Sequence, residues 1–120
     1  HGDGSNRRRY LAAEDFAEAI TTLIAHGKVG EIYNIGTTDE FTNLEIAGLI
    51  CDALGGAVED SVTYVGDRPF NDSRYAVKFD KISALGWKPR HHLQDEIQKV
   101  TNWYRENKAR YQFLIERGDI

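Results

Sequence analysis

Arg7, Arg8 and Arg9 follow the turn-forming run Gly2-Asp3-Gly4, and a guanidinium projecting from such a loop can grip phosphate oxygens through two parallel N–H bonds. Three neighbouring arginines cannot all face one ligand, and a short basic run is most often a solvated face. Arg68-Pro69-Phe70-Asn71-Asp72 is more pointed: proline stiffens the loop, and a cation, an amide and a carboxylate with fixed donor or acceptor roles fall within five residues. A diphosphate and a ribose need such a set. The competing reading is a turn in which Asn71 and Asp72 cap their own backbone and Arg68 pairs locally. Asn34 stands in the apolar run Glu31-Ile32-Tyr33-Asn34-Ile35. Buried there without a partner it would cost free energy, so a backbone group, the commoner answer, or a bound ligand must satisfy it.

Other chemistries fall away on spacing. His91 and His92 are adjacent, so their side chains point in different directions, and no third ligand stands at metal-binding spacing. They are assigned to a solvated loop. Tyr104 and Lys108 have the Tyr-x-x-x-Lys spacing with which dehydrogenases pair a tyrosine base and a lysine. Tyr104 also completes an apolar helical stripe, however, and no glycine-rich strand-to-helix turn exists to bring a nicotinamide ring near it. Gly2-Asp3-Gly4 is too short to be that turn, and no catalytic residue is assigned to this chain.

The chain has 120 residues, enough for one compact domain. With 41% hydrophobic and 28% charged residues it is neither disordered nor fibrous in composition. A net charge of −4 excludes a general electrostatic grip on nucleic acid, so any anion site must be local. The single cysteine, Cys51, cannot form an internal disulfide and lies among apolar residues, as a reduced, buried thiol does. No run approaches the roughly 18 apolar residues that cross a bilayer, and no charged leader opens the chain. These features predict a cytoplasmic protein with no membrane partner. The polar, glycine-rich start without methionine reads as the middle of a loop and predicts a fragment.

The elements that must position these residues are helices and short strands. Phe16, Ile20, Leu23 and Ile24 fall at helical spacing between Glu14 and His26, with Gly27 placed for a left-handed C-cap. Glu31 to Ile35 reads as a short buried strand. Thr42-Asn43-Leu44-Glu45 is a capping box that opens a second helix, with Phe41 and Ile46 as its hydrophobic staple and Gly55-Gly56 as its stop. Ser61 to Val65 and Arg74 to Val77 read as further strands around an ordered loop from Gly66 to Asp72. Asp80 is placed to cap one helical turn that ends at Gly86. Leu93, Ile97, Val100 and Tyr104 form an i, i+4, i+7, i+11 stripe on a last helix that the tail to Ile120 would extend.

Taken together, Gly2-Asp3-Gly4-x-x-x-Arg8-x-Tyr10-Leu11-x-x-Glu14-Asp15, Gly30-Glu31-Ile32-Tyr33-Asn34-Ile35-Gly36, Asp67-Arg68-Pro69-Phe70-Asn71-Asp72-x-Arg74-Tyr75, Lys81-Ile82-x-x-Leu85-Gly86-Trp87 and Trp103-Tyr104 resemble the extended short-chain dehydrogenases. The nearest resemblance is to nucleotide-sugar 4,6-dehydratases, in the same order and spacing from residue 1 to about residue 108. The resemblance implies an α/β fold in which an amino-terminal Rossmann domain holds NAD and a smaller carboxy-terminal part closes over a nucleoside-diphosphate sugar. This chain matches the carboxy-terminal part. Residues 1–36 would then pack on the absent Rossmann domain and residues 37–120 would form the substrate domain.

The same resemblance makes Arg8, Asn34, Arg68 and Asn71 the substrate-binding residues, and leaves Arg7 and Arg9 to solvent. The implied reaction converts dTDP- or UDP-glucose to the 4-keto-6-deoxy sugar nucleotide, with the catalytic half and the NAD outside this chain. Asn71, where many dTDP-glucose members carry histidine, leans toward the UDP-glucose dehydratases of the rhamnose pathway. Ala12-Ala13 stands where relatives often place bulkier residues. A UDP-sugar 4-epimerase or decarboxylase of the same superfamily, and a stand-alone binding module, are the alternatives. The intact protein is expected to be a homodimer through its missing half, and the isolated chain to self-associate or to be of low stability.

Overall fold

The computed structural model describes residues 1–118. The chain opens with strand β1 (Arg7–Arg9) and passes into helix α1 (Ala13–His26). Strand β2 (Glu40–Thr42) follows and leads directly into helix α2 (Asn43–Leu54). β1 and β2 form an antiparallel ribbon in which Arg8 stands opposite Phe41. The short helices α3 (Val58–Ser61) and α4 (Asp80–Ser83) flank a long irregular segment. The chain ends in helix α5 (Leu93–Glu106), a 3-10 turn (Lys108–Tyr111) and helix α6 (Gln112–Arg117).

Where local chemistry decides, the helices form as expected. Thr42 accepts the Glu45 amide at 3.0 Å and the Glu45 carboxylate accepts the Thr42 amide at 2.6 Å, closing the capping box. α2 stops at Gly55 with φ 74°, in the left-handed region. Gly27 is a correction. Its backbone is extended, with φ −69° and ψ 150°, and glycine is needed there for space, because a Cβ would meet the Leu23 carbonyl oxygen at 2.6 Å.

The expected strands do not form. Glu31 to Ile35 is irregular: a strand is a pairing, and this segment finds no edge among the described residues, so Tyr33 and Ile35 turn to the core instead. Ser61 closes α3 and the chain then runs on without pairing to Val65. Arg74 to Val77 contributes one isolated parallel bridge, Arg74 to Arg7. Asp80 begins α4 rather than capping it, Phe79 being the N-cap residue. The last helix breaks at Asn107, whose side-chain amide donates to the Trp103 carbonyl; Asp119 and Ile120 of the expected extension lie outside the described residues.

The core is small. Ala19, Ile82 and Trp87 are buried, with Leu11, Leu23, Tyr33, Ile35 and Phe79 packed around them, and the Phe79 and Trp87 rings meet edge to face at 6.1 Å. α2 packs on α5, and Cys51 is buried on α2. On α1 Phe16, Ile20 and Ile24 are exposed, and so are Val29 and Ile32 beyond the helix. No described helix is long and apolar enough to cross a membrane.

A buried carboxylate joins α1 to the carboxy-terminal half. Asp15 is fully buried. It accepts the backbone N–H groups of Arg90 at 3.0 Å and His91 at 3.0 Å, and His91 Nδ1 at 2.8 Å, while its carbonyl accepts Trp87 Nε1 at 3.1 Å. His92 Nδ1 stands 3.0 Å from Asp39, and the Leu93 amide donates to the same carboxylate at 2.9 Å. The histidines do lie in an irregular segment and His92 is exposed, but both are paired, and His91 is partly buried against Asp15. Each faces its own carboxylate because adjacent side chains diverge, and a carboxylate can only accept, so each Nδ1 carries the proton.

Burial is the largest single influence on Asp15 and pushes its carboxyl up, but the bonds from His91 and the two backbone amides together hold it below the usual value. The bond to Asp15 raises His91, and the bond to Asp39 raises His92. A raised histidine contributes stability in full below its unfolded value near 6.5 and loses it as pH rises through the folded value. A lowered carboxylate contributes above its unfolded value and loses that as pH falls. The melting temperature is therefore expected to be highest in the window from about pH 4 to about pH 6.5 and to decline on both sides. In the His91→Ala variant the alkaline decline is shallower; a wild-type Tm that climbs from pH 6 to pH 8 would contradict this. Separately, Ile82→Ala should lower unfolding free energy by about 3 kcal/mol in urea titration, as expected for truncating a fully buried side chain.

Candidate functional site

The amino-terminal segment lies along the irregular segment from Val65 to Val77 and is bonded to it at intervals. Gly2 N–H donates to the Val65 carbonyl at 3.0 Å, Asn6 Nδ2 to the Asp72 carbonyl at 3.3 Å, Arg7 N–H to the Ser73 carbonyl at 2.7 Å and Arg9 Nη1 to the Val77 carbonyl at 3.2 Å. The approach at Gly2 requires glycine. Its φ is +62°, and a Cβ would stand 3.1 Å from Asp67 Oδ2.

This pairing brings three of the four expected site residues together. Arg68 Nη2 donates to Asn71 Oδ1 at 2.9 Å, and Arg8 Nη2 reaches the same oxygen at 3.4 Å. Asn71 Nδ2 donates to Asp67 Oδ1 at 3.0 Å, and that oxygen also accepts the Arg68 amide at 2.8 Å. The amide orientation of Asn71 follows from its neighbours: its NH2 faces a carboxylate and its oxygen faces two guanidiniums, and a flip would set donors against donors. Asn34 is not bonded to this cluster. Its Nδ2 donates to the Lys78 carbonyl at 3.4 Å and the residue is exposed, so a backbone group satisfies it without a ligand.

Two further residues shape the site. The Arg8 guanidinium lies 4.7 Å above the centre of the Tyr75 ring, and the Tyr75 hydroxyl donates to the Asp72 carboxylate, which raises the phenol's pKa. Glu40 accepts Arg74 Nε at 2.7 Å, which lowers its carboxyl, and faces Arg9 Nε at 3.7 Å. Arg9 is thus partly buried against Glu40 rather than left to solvent, whereas Arg7 is exposed. Tyr75 and Asp67 stand inside the motif quoted above, yet sequence reading gave them no role. The Arg8–Tyr75 contact spans most of the chain and leaves no periodic or spacing signal.

Two guanidiniums from separate segments converge on one neutral amide oxygen, and the Asp67 carboxylate holds that amide in place. An anion with two adjacent charged groups could replace that oxygen and take a bond from each. No group of three or more His, Cys, Asp or Glu side chains that could hold a metal ion occurs among the described residues. Gly2 and Gly4 have positive φ, and the spaces over them are filled by Asp67 and Leu44. A separate cavity of about 450 Å³ lies between Tyr10–Glu14 and α5, bounded by Leu93, Val100 and Trp103; the arginine cluster does not line it.

The family model described as GDP-mannose 4,6 dehydratase matches residues 1–100. A trifunctional UDP-glucose 4,6-dehydratase, 3,5-epimerase and reductase of Arabidopsis thaliana is 42% identical over 107 residues, covering 89% of this chain and 16% of that protein. The dTDP-D-glucose 4,6-dehydratase of Mus musculus is 42% identical over 112 residues, covering 89% of this chain and 32% of that protein. Among solved structures, the dTDP-glucose 4,6-dehydratase of Streptomyces venezuelae, determined with NAD bound, superposes with a TM-score of 0.84 at 38% identity, covering 90% of this chain and 34% of that one. The chain thus spans about a third or less of the length of these relatives. A model match over most of the sequence, in the order the motifs required, settles the kinship: the chain belongs to the GDP-mannose 4,6-dehydratase family.

Proposed function

We propose that this chain is the nucleotide-sugar-binding part of a 4,6-dehydratase, and that the cluster of Arg8, Arg68 and Asn71 takes the diphosphate of the substrate. The observation that carries the reading is the convergence of Arg8 and Arg68 on Asn71 Oδ1. Two planar, permanently charged forks aimed at one oxygen match a diphosphate, whose neighbouring phosphoryl groups offer each fork its own acceptors. Asn71 then turns to ribose or phosphate oxygens, and Asn34, with its exposed amide, reaches the sugar when substrate fills the space beside Lys78. The intact protein would convert dTDP- or UDP-glucose to the 4-keto-6-deoxy sugar nucleotide, with NAD held by residues outside this chain.

Residues 1–36 would pack on that other part of the protein. The exposure of the apolar side chains Phe16, Ile20, Ile24, Val29 and Ile32 within this segment supports this, since apolar surface left in water is often an interface. Residues 37–120 would then form the substrate domain. The likeness to relatives acting on both dTDP- and UDP-glucose leaves the base to be read by experiment.

Calorimetric titration of the chain with UDP and dTDP tests the reading. One nucleotide is expected to bind, uridine or thymidine without phosphate is not, and Arg8→Ala or Arg68→Ala should each weaken binding by about tenfold, the scale of one lost charge-assisted bond. A folded chain that binds neither nucleotide, or binds both variants as tightly as the wild type, contradicts it.

A further inference from the structure

We propose that Tyr75 is the positioning residue of this site: its ring, anchored through its hydroxyl to Asp72, is the platform that keeps the Arg8 guanidinium aimed at the anion. The inference rests on the reading of the cluster as a diphosphate site and names the residue that prepares one of its two cations.

The two arginines are held by different means. Arg68 lies in the same loop as Asn71 and reaches its oxygen at 2.9 Å, a full hydrogen bond. Arg8 comes from β1, and its contact with that oxygen is 3.4 Å, at the long limit of a hydrogen bond. Its Nη1 donates to the Arg7 carbonyl at 2.7 Å, which fixes one edge of the fork but not the tilt of its plane. The remaining constraint is the face of Tyr75, 4.7 Å from Arg8 Cζ, a distance at which a ring attracts a guanidinium and defines its plane. Without that face, a long and partly exposed side chain would sample many rotamers.

Burial does not explain an aromatic residue at this position, because Tyr75 is 58% exposed. Its surroundings instead fasten it. The hydroxyl donates to the Asp72 carboxylate, and the Asp72 carbonyl is in turn held by the buried Asn6. On the other side Arg74 is bridged to Arg7 through the backbone and to Glu40 through its side chain. The platform is thus tied to the strand that carries Arg8.

A double-mutant cycle with a spectroscopic control tests this. Tyr75→Leu removes the ring, Tyr75→Phe keeps it without the anchor, and each is made with Arg8 intact and with Arg8→Ala. Affinity for UDP and dTDP is measured by calorimetry, and the Arg8 side-chain δ-protons are followed by NMR with no ligand present. Tyr75→Leu is expected to weaken nucleotide binding by about two- to fivefold with Arg8 present, the scale of one exposed cation–π contact, and not to weaken it further in Arg8→Ala. Tyr75→Phe, which keeps the ring but not the bond to Asp72, should recover only part of that loss. The Arg8 δ-protons should resonate upfield over the ring and return to ordinary positions in Tyr75→Leu. An equal loss in both backgrounds, or an Arg8 spectrum indifferent to Tyr75→Leu, overturns the platform even if nucleotide binds normally. If the wild-type chain binds no nucleotide while the upfield shift is present, the site reading fails and the inference falls with it.

Discussion

The carboxylate of Asp15 has no access to water, and a charge so placed persists only where enough donors replace its hydration. The donors come from one short segment, Arg90 to Leu93, which treats two acidic residues in turn: Arg90 and His91 serve Asp15, His92 and Leu93 serve Asp39. Asp15 lies in the first turn of α1, just after β1, and Asp39 lies just before β2, where its carbonyl accepts the Tyr10 amide. The segment therefore grips the root of the β1–β2 ribbon from both sides. Because Arg8 projects from that ribbon, the geometry of the anion cluster depends on a clasp made elsewhere in the chain.

The cluster itself has a second electrostatic problem, since two guanidiniums near one oxygen repel each other. Asn71 offers them a shared neutral acceptor, Asp67 fixes the amide of Asn71, and Tyr75 takes the face of Arg8. All of these partners are partly or wholly exposed, so solvent screening lowers the cost of holding the pair together. On the proposed reading the donors stand in place before a ligand arrives, which limits the ordering that binding must bring about.

What the sequence made legible was local. The capping box at Thr42, the stripe on α5 and the helical spacing of α1 each involve residues within a turn or two of one another, and each is found in the structure. What it hid was pairing over distance. β1 is three consecutive arginines, with no alternation, and β2 is Glu-Phe-Thr, too short for its one apolar residue between two polar ones to announce a strand. Glu31 to Ile35 has strand-forming residues but finds no neighbour here. The adjacent histidines diverge and lie in an irregular segment, as their positions suggest, but their carboxylate partners were hidden because Asp15 and Asp39 lie far away in sequence. Of the site, Arg8, Arg68 and Asn71 could be named from their motifs and are brought together. Asn34 is not bonded to them, and Tyr75 could be seen as a motif member but not as the partner of a particular arginine.

The most direct test of the central claim is a crystal structure of the chain with UDP or dTDP bound. Both guanidiniums, Arg8 and Arg68, are expected on oxygens of the diphosphate, with Asn71 Oδ1 released from them and the Tyr75 ring still beneath Arg8. A nucleotide found instead in the cavity beside Leu93, Val100 and Trp103, with both arginines unmoved on Asn71, would contradict it.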